Sequence, residues 1–330
     1  MPDPVERPAV AVLCERATDR PPRLDGLPVD LRYCAADGLA DAVQGARALM
    51  LWDFFSTAVR DVWDRAGSLE WIHVTAAGVD TLLFDELRDS DVVVTNARGV
   101  FDRPIAEYVL GAVLAVAKDS RFSLELQRRH SWQHRETHSI LGAKALVVGT
   151  GGIGREIARL LRAAGLEVRG VGRVARAGDP DLGDVIASSD LAAQAGWADH
   201  LVLAAPLTEA TRGLVNDQVL SAMKSDAHLV NVARGPLVDE AALLAALRDG
   251  RIAAATLDVF DREPLPPDHP LWDAPGVTIT AHMSGDVIGW RDTLARQFAV
   301  NVRRWLAGEP LLNVVDKKLG YIPATERGER

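Results

Sequence analysis

Short, continuous apolar runs recur along the chain, and stretches with the hydrophobic spacing of amphipathic helices separate them. Such runs are typical of parallel strands buried on both faces, and their alternation with helices predicts the α/β class with doubly wound parallel sheets. The predicted strands are Ala9–Leu13, Ala48–Leu51, Trp71–Val74, Val92–Thr95, Ala145–Val148, Glu167–Val171, Leu201–Ala204, His228–Val232, Ala253–Leu257 and Val277–Thr280.

Two predicted helices have recognisable ends. A long helix should run from about Arg103 to Arg128, with Asp102 as its N-cap and Pro104 in its first turn. A second helix, Asp239–Arg248, begins at an aspartate N-cap and is ended by Gly250.

A match to the pattern G-x-G-x-x-G begins at Gly149, between a predicted strand and a predicted helix, as dinucleotide sites require. Gly149 permits the tight turn, Gly151 lets the backbone approach a pyrophosphate, and Gly154 lets helix and strand pack closely. The N–H groups at Gly152 and Ile153, where the helix begins, would face the anion. A turn rich in glycine for packing alone is the alternative.

The end of the next strand predicts which cofactor binds. An acidic residue there would hold the ribose 2′-hydroxyl of NAD, whereas an arginine accommodates the 2′-phosphate of NADP. Here Gly172 is followed by Arg173, and Arg176 comes shortly afterwards. Asp179 and Asp181 come too late to occupy the strand end. We therefore favour NADP(H), with NAD(H) as the alternative if both arginines are solvated loop charges.

The glycine-rich turn lies in the middle of the chain, which implies that a separate domain precedes it. The tail after the last strand could return to that first domain. We predict a discontinuous substrate domain over residues 1–99 and 287–330, and a dinucleotide-binding domain over residues 100–286.

Three later segments each begin with an apolar strand and end in polar residues, and they contain Arg234, Asp258, Glu263 and His282. Ligands of open α/β sheets bind at the carboxyl ends of the strands, so these side chains are expected to converge. Taken singly, an Arg–Glu pair could be structural, the histidine a hydrogen-bonded core group, and the aspartate a turn cap.

These segments, in this order after a central G-x-G-x-x-G, resemble the D-2-hydroxyacid dehydrogenase family, which includes glyoxylate/hydroxypyruvate reductases. The resemblance covers nearly the whole chain. It implies a Rossmann cofactor domain inserted into a flavodoxin-like substrate domain, with a cleft between them and a homodimer built on the cofactor domain. Further matching segments are Ala77–Asp80, Val94–Asn96, Ile105–Glu107 and Ala205–Thr208.

The resemblance also implies a role for each site residue. Arg234 would bind the substrate carboxylate and keto oxygen, since a guanidinium is always charged and offers forked donors. His282 would protonate the carbonyl oxygen as hydride arrives, and Glu263 would orient the imidazole and favour its charged form. The family usually has proline before this histidine, where this chain has Ala281.

The remaining implied contacts are with the backbone and with the cofactor. Backbone N–H groups of Ala77, Gly78 and Val79 would bind the substrate carboxylate, although Gly78 could serve only a tight turn. Asp258 would hold the nicotinamide carboxamide. The implied cofactor-binding positions are Gly149, Gly151, Gly152, Ile153, Gly154, Gly172, Arg173, Arg176, Ala205, Pro206, Val232, Ala233, Asp258 and His282.

Composition excludes several other classes of protein. A formal net charge of −9 disfavours a nucleic-acid binder, and no apolar run approaches the length of a membrane-spanning helix. Two cysteines and the lack of a signal-peptide pattern at the start favour the cytoplasm.

His134 and His138 could share a helix face, but without a third ligand we expect no metal. Trp52, Phe54 and Phe55 are expected to pack in the core rather than line a substrate pocket.

The leading hypothesis is reduction of glyoxylate, hydroxypyruvate or a similar 2-keto acid by NADPH, giving the D-2-hydroxy acid. A bulkier 2-keto acid is the close alternative. A nucleotide-sensing interaction protein, like the corepressors that resemble this family, is the alternative from another class. The presence of Arg234, Glu263 and His282 together argues against that last possibility.

Overall fold

The computed structural model of the chain describes residues 7–323, so both ends of the predicted substrate domain (1–6 and 324–330) lie outside the described residues. Two compact units are present. The central unit is Phe101–Asp286, and the flanking unit consists of residues 7–100 and 287–323.

The flanking unit contains a five-stranded sheet in the order β2-β1-β3-β4-β5, in which every neighbouring pair is parallel. This is the flavodoxin-like order. The sequence pattern missed β2, because it is an edge strand whose positions are mostly exposed or half-buried. The strands are β1 (Ala9–Leu13), β2 (Asp30–Cys34), β3 (Ala48–Leu51), β4 (Trp71–Val74) and β5 (Val93–Thr95).

The central unit contains an eight-stranded sheet in the order β13-β12-β11-β10-β6-β7-β9-β8. All pairs are parallel except β8 with β9, which form an exposed antiparallel hairpin that was not predicted. Its order reverses between β6 and β10, as in Rossmann sheets, and the two sheets confirm the predicted α/β class. The strands are β6 (Lys144–Val148), β7 (Glu167–Gly172), β8 (Arg176–Asp179), β9 (Gly183–Ala187), β10 (His200–Leu203), β11 (His228–Asn231), β12 (Ala254–Leu257) and β13 (Val277–Ile279).

Helices join the strands of each unit and cover their faces. The helices are α1 (Leu39–Ala42), α2 (Ala58–Asp61), α3 (Asp85–Asp89), α4 (Asp102–Ala117), α5 (Ser120–Arg128), α6 (Gly152–Ala163), α7 (Leu191–Gln194), α8 (Asp217–Ala222), α9 (Glu240–Arg248) and α10 (Trp290–Leu306).

The local sequence pattern predicted the start of α9 correctly, but it did not predict the limits of α4 and α5. Asp239 caps α9 as predicted, because its carboxylate accepts the Ala242 N–H at 3.0 Å. Asp102 is not a cap; it is the first residue of α4. The predicted long helix is broken at Asp119, whose left-handed backbone (φ 47°) separates α4 from α5.

After α10 the chain returns to the edge of the flanking sheet. The Val315 N–H donates to the Val94 carbonyl at 2.8 Å, so the tail extends the sheet beyond β5. On the face of that sheet, Phe298 of α10 stacks on Trp71 with the ring centroids 5.3 Å apart. These contacts tie the segment after residue 287 to the first hundred residues.

Candidate active site

Polar residues follow three neighbouring strands of the central sheet. Strands β11, β12 and β13 are parallel and adjacent, so their carboxyl ends lie at one edge of the sheet. Arg234 follows β11, Asp258 follows β12 directly, and His282 follows β13. Glu263 lies further along the loop after β12. The structure therefore places all four predicted residues on loops at the same edge.

His282 and Glu263 form a close pair. His282 Nδ1 lies 2.6 Å from Glu263 Oε2, and both side chains are a little more than a quarter exposed. The other carboxylate oxygen, Oε1, accepts the Phe260 N–H at 2.9 Å, which fixes the orientation of Glu263. Because a carboxylate only accepts, the pairing assigns a proton to Nδ1 and makes Nε2 the nitrogen that exchanges a proton with a ligand.

Asp258 organises the loop that carries His282. Its carbonyl accepts the His282 N–H at 2.8 Å, and its carboxylate oxygens accept the N–H groups of Met283 and Ser284, both at 2.9 Å. The Thr280 hydroxyl also donates to the carboxylate. The buried Asp258 thus caps this turn, which was the structural alternative for this residue.

Arg234 is placed by a turn that sequence reasoning did not assign. The Asn231 side-chain oxygen accepts the Ala233 N–H at 3.1 Å, and its amide donates to the Arg234 carbonyl at 3.0 Å. A Cβ at Gly235 would lie 1.9 Å from the Phe260 carbonyl carbon, so the loops after β11 and β12 touch through their backbones. A polar residue at the carboxyl end of β11, after Leu229 and Val230, was the available signal for Asn231.

The glycine-rich turn has the geometry that a dinucleotide needs. Gly149 has φ +117°, and a Cβ there would lie 2.5 Å from the Ala204 carbonyl oxygen. A Cβ at Gly154 would lie 2.0 Å from the Gly149 oxygen, so close packing requires both glycines. A Cβ at Gly151 would meet no described atom within 4 Å, so the space that a pyrophosphate would approach is open. These residues fit the cofactor predicted from the sequence.

The region after β7 contains an ion cluster that the sequence pattern did not predict. Asp179 Oδ1 accepts Arg155 Nη1 at 2.7 Å and the N–H groups of Asp181 and Leu182 at 3.1 and 3.2 Å. Its Oδ2 accepts Arg155 Nη2 at 2.8 Å and Arg176 Nη2 at 2.9 Å. The hydrogen bonds from Arg155 hold the pKa of the Asp179 carboxyl well below its usual range.

The β8–β9 hairpin therefore brings Asp179 back to the first turn of α6. Arg155 Nε also donates to the Thr150 carbonyl at 3.1 Å, which joins this cluster to the glycine-rich turn. Both oxygens of Asp179 already accept several hydrogen bonds, so its carboxylate lacks the capacity to take a ribose hydroxyl as well. Arg176 is committed in part to Asp179, whereas Arg173 is an exposed residue just beyond the end of β7.

The other predicted cofactor positions lie beside the same turn or at the neighbouring strand ends. A Cβ at Gly172 would lie 3.0 Å from the Thr150 methyl group. Ala205, Val232 and Ala233 are buried just beyond the ends of β10 and β11. Pro206 accepts the Thr211 hydroxyl at its carbonyl oxygen, at 2.7 Å.

In the flanking unit, the predicted substrate loop follows β4. The Ala77 carbonyl accepts the Asn96 side-chain amide at 2.6 Å, Gly78 is half-buried, and Val79 is buried. Of the aromatic residues after β3, Trp52 is buried as expected, whereas Phe55 is 54% exposed.

Residues 7–323 hold no group of three or more histidine, cysteine, aspartate or glutamate side chains that could bind a metal ion. No helix in that range is long and apolar enough to cross a membrane.

Known proteins resemble this chain in sequence and fold. Residues 110–284 match the family model described as D-isomer specific 2-hydroxyacid dehydrogenase, NAD binding domain. A glyoxylate reductase of Thermofilum pendens is 32% identical over 276 residues, covering 81% of this chain and 80% of that protein. An (S)-sulfolactate dehydrogenase of Chromohalobacter salexigens is 33% identical over 265 residues, covering 79% and 85%. A D-isomer specific 2-hydroxyacid dehydrogenase from Xanthobacter autotrophicus, crystallised with NADPH and MES, is 33% identical, with a TM-score of 0.80 over 96% of this chain and 100% of that one.

Proposed function

The chain belongs to the D-isomer specific 2-hydroxyacid dehydrogenase family, and we propose that it reduces glyoxylate, hydroxypyruvate or a similar 2-keto acid to the D-2-hydroxy acid. The observation that carries this proposal is the contact between His282 and Glu263 at the edge of the sheet where Arg234 also lies. One relative acts on glyoxylate and another, at similar identity, on sulfolactate, so the size of the keto acid is left to experiment.

His282 is the proposed acid. With Nδ1 directed at Glu263, the imidazole presents Nε2 to the keto oxygen and delivers a proton there as the carbonyl carbon is reduced. Glu263 keeps the ring in the required tautomer and orientation, because Phe260 N–H holds the far oxygen of that carboxylate. In the reverse direction the same nitrogen takes the proton from the hydroxyl group. The nicotinamide supplies or accepts the hydride when it is bound.

Arg234 is the proposed anchor for the substrate. Its guanidinium offers paired donors that match a carboxylate. The turn held by Asn231 and the close packing at Gly235 fix the backbone from which Arg234 extends. Backbone N–H groups of Ala77, Gly78 and Val79 remain a prediction for the carboxylate.

NADPH is the proposed reductant, with NADH the alternative. The Asp179 carboxylate already accepts hydrogen bonds from Arg155, Arg176 and backbone N–H groups. The three residues directly after β7 include no carboxylate. Arg173 and Arg176 are the proposed partners of the 2′-phosphate. A family member of 33% identity was crystallised with NADPH, which supports the same choice.

Asp258 is the proposed partner of the nicotinamide carboxamide. A carboxylate has about four acceptor positions, and Thr280, Met283 and Ser284 occupy three of them. The remaining position, on Oδ2, suits an amide N–H. The turn-capping role and the cofactor role are therefore compatible.

The test is loss of reduced-nicotinamide absorbance when the protein is mixed with NADPH or NADH and a panel of glyoxylate, hydroxypyruvate, pyruvate, phenylpyruvate and sulfopyruvate. Turnover of a small acid with NADPH is expected, and preference for phenylpyruvate would move the assignment to a bulkier substrate. Protein that binds NADPH but turns over none of the acids would contradict the proposal and favour a nucleotide-sensing role.

We further propose a cytoplasmic homodimer that pairs through α4, α5 and the segment after them. Large apolar side chains are exposed there: Leu114 of α4, Leu124 of α5, and Trp132 and Leu141 beyond α5. Exposed apolar residues on neighbouring elements are typical of protein interfaces. Sedimentation equilibrium should show a dimer, and Leu124→Glu combined with Trp132→Glu should give a folded monomer. A monomeric native protein would refute this pairing.

A further inference from the structure

A chain of hydrogen bonds joins helix α4 to the loop that carries His282. The Tyr108 hydroxyl of α4 lies 2.6 Å from the Thr280 hydroxyl, and Thr280 in turn donates to the Asp258 carboxylate. Asp258 accepts the backbone N–H groups of Met283 and Ser284. Tyr108 is separated from Thr280 by 172 residues, so only the fold brings them together.

The direction of each hydrogen bond in this chain follows from the groups involved. An ionised carboxylate can only accept, so the single proton of the Thr280 hydroxyl points to Asp258. Tyr108 must therefore donate to Thr280. Burial raises the pKa of the Tyr108 hydroxyl, the hydrogen bond with Thr280 offsets part of that increase, and the nearby charge of Asp258 adds to it. Tyr108 accordingly keeps its proton at neutral pH.

The loop of His282, where this series of hydrogen bonds ends, has a backbone conformation that other residues must stabilise. His282 has φ +49°, a left-handed backbone conformation that non-glycine residues rarely adopt. Ala281 before it constrains the backbone less than a proline would. The hydrogen bonds to Asp258 from His282 itself and from the two residues after it hold that conformation.

We propose that Tyr108 is a positioning residue for the reaction: through Thr280 and Asp258 it fixes the loop of His282 and thus the direction of its imidazole. The inference rests on the proposed role of His282 as the acid. The Tyr108 ring is half-buried in α4, so its hydroxyl anchors the catalytic loop to a long helix of the same unit. Loss of that hydroxyl leaves Asp258 with fewer constraints on its own orientation.

The first experiment compares Tyr108→Phe with Tyr33→Phe, a matched removal of one hydroxyl from strand β2 of the flanking unit. We expect kcat of Tyr108→Phe to fall about tenfold, which corresponds to about 1.4 kcal/mol, while the Kd for NADPH rises by a smaller factor, because Asp258 is only one of the proposed cofactor contacts. The alkaline limb of its kcat profile against pH, where a general acid loses its proton, should shift as well. Tyr33→Phe should match the native enzyme in all three. Equal kcat in the native enzyme and Tyr108→Phe would overturn the inference.

A double-mutant cycle tests whether the residues act as one chain. Thr280→Val removes the link between Tyr108 and Asp258 and keeps the shape of the side chain, whereas Thr280→Ser keeps the hydroxyl. We expect Thr280→Ser to retain most of kcat, and Tyr108→Phe to have no further effect in the Thr280→Val background. Full additivity of the two effects would refute a shared chain.

Hydrogen exchange separates this inference from the proposed function. The amides of Met283 and Ser284 should exchange about tenfold faster in Tyr108→Phe than in the native protein, whether or not a 2-keto acid is turned over. Faster exchange in a protein inactive on every acid would support the anchor and refute the function. Unchanged exchange would overturn the anchor, even if the enzyme is active.

Discussion

His200 and His228 are the first residues of β10 and β11, whereas His282 follows the carboxyl end of β13 at the opposite edge of the same sheet. The first two are buried and face each other, with their Nδ1 atoms 3.4 Å apart, and His228 Nε2 lies 2.9 Å from the Thr256 hydroxyl. Burial lowers the pKa of His228 to about 3, and burial also lowers the pKa of His200. His282 is partly exposed and paired with a carboxylate. The surroundings of each histidine, and not the residue type, therefore distinguish the structural His200 and His228 from His282, the candidate catalytic residue.

The largest expected effect comes from removing the histidine at the carboxyl edge. His282→Ala should lower kcat by about 10²–10⁴-fold, the usual contribution of a positioned general acid, because it removes the proposed proton donor. The Kd for NADPH, measured by fluorescence titration, should change little.

His134→Ala is the matched control, since His134 is exposed and lies outside the site. Its activity should equal that of the native enzyme. A His282→Ala variant with native kcat would remove His282 from the mechanism.

The histidines at the amino edge should control stability in acid instead of activity. Because the pKa of His228 is lowered on folding, the unfolded chain binds a proton that the folded chain excludes, so stability falls as pH falls. The contribution is complete above about pH 6.5 and is lost progressively as the pH falls towards 3. His228→Gln should make the free energy of unfolding, measured by urea denaturation, less steep over that range.

The same variant sharpens the contrast with His282. His228→Gln should keep kcat near the native value at neutral pH, because residue 228 lies at the far edge of the sheet. A slope against pH identical to that of the native protein would show that His228 is not neutral in the folded state.

The sequence predicted the limits of strands correctly where consecutive residues along the chain are buried. The limits of β1, β3 and β4 agree with the predicted strands, because each is apolar at every position or nearly so. Edge strands carry no such pattern, so Asp30–Cys34 and the hairpin of β8 and β9 were missed. The break at Asp119 was missed because the helical spacing continues on both sides of it.

The candidate site was predictable only for residues whose chemistry stands out at a strand end. Arg234 and His282 were predicted in that way, whereas Glu263 lies further along the loop after β12 and was predicted through the resemblance to the family. Asn231 and Tyr108 were not, because they act through hydrogen bonds to partners that a linear pattern does not reveal. The neighbours of Asp179 illustrate the same limit, since a hairpin returns that carboxylate to Arg155.

Arginines beside the glycine-rich turn differ in burial and in position, and the effect expected from removing them is smaller. Arg155 is buried and donates to Asp179, Asp181 and the Thr150 carbonyl. Arg176 shares the Asp179 carboxylate, and Arg173 is exposed next to the end of β7. Arg173→Ala should raise the Kd for NADPH about fivefold, since a surface ion pair contributes up to about 1 kcal/mol. Arg176→Ala should raise it only about two- to threefold, because Asp179 partly neutralises Arg176. Neither should change the Kd for NADH, which lacks the 2′-phosphate. Titration of both cofactors into both variants checks this order. A larger effect at Arg176 would mean that Asp179 orients its guanidinium towards the phosphate, and equal losses for NADPH and NADH would make both arginines structural.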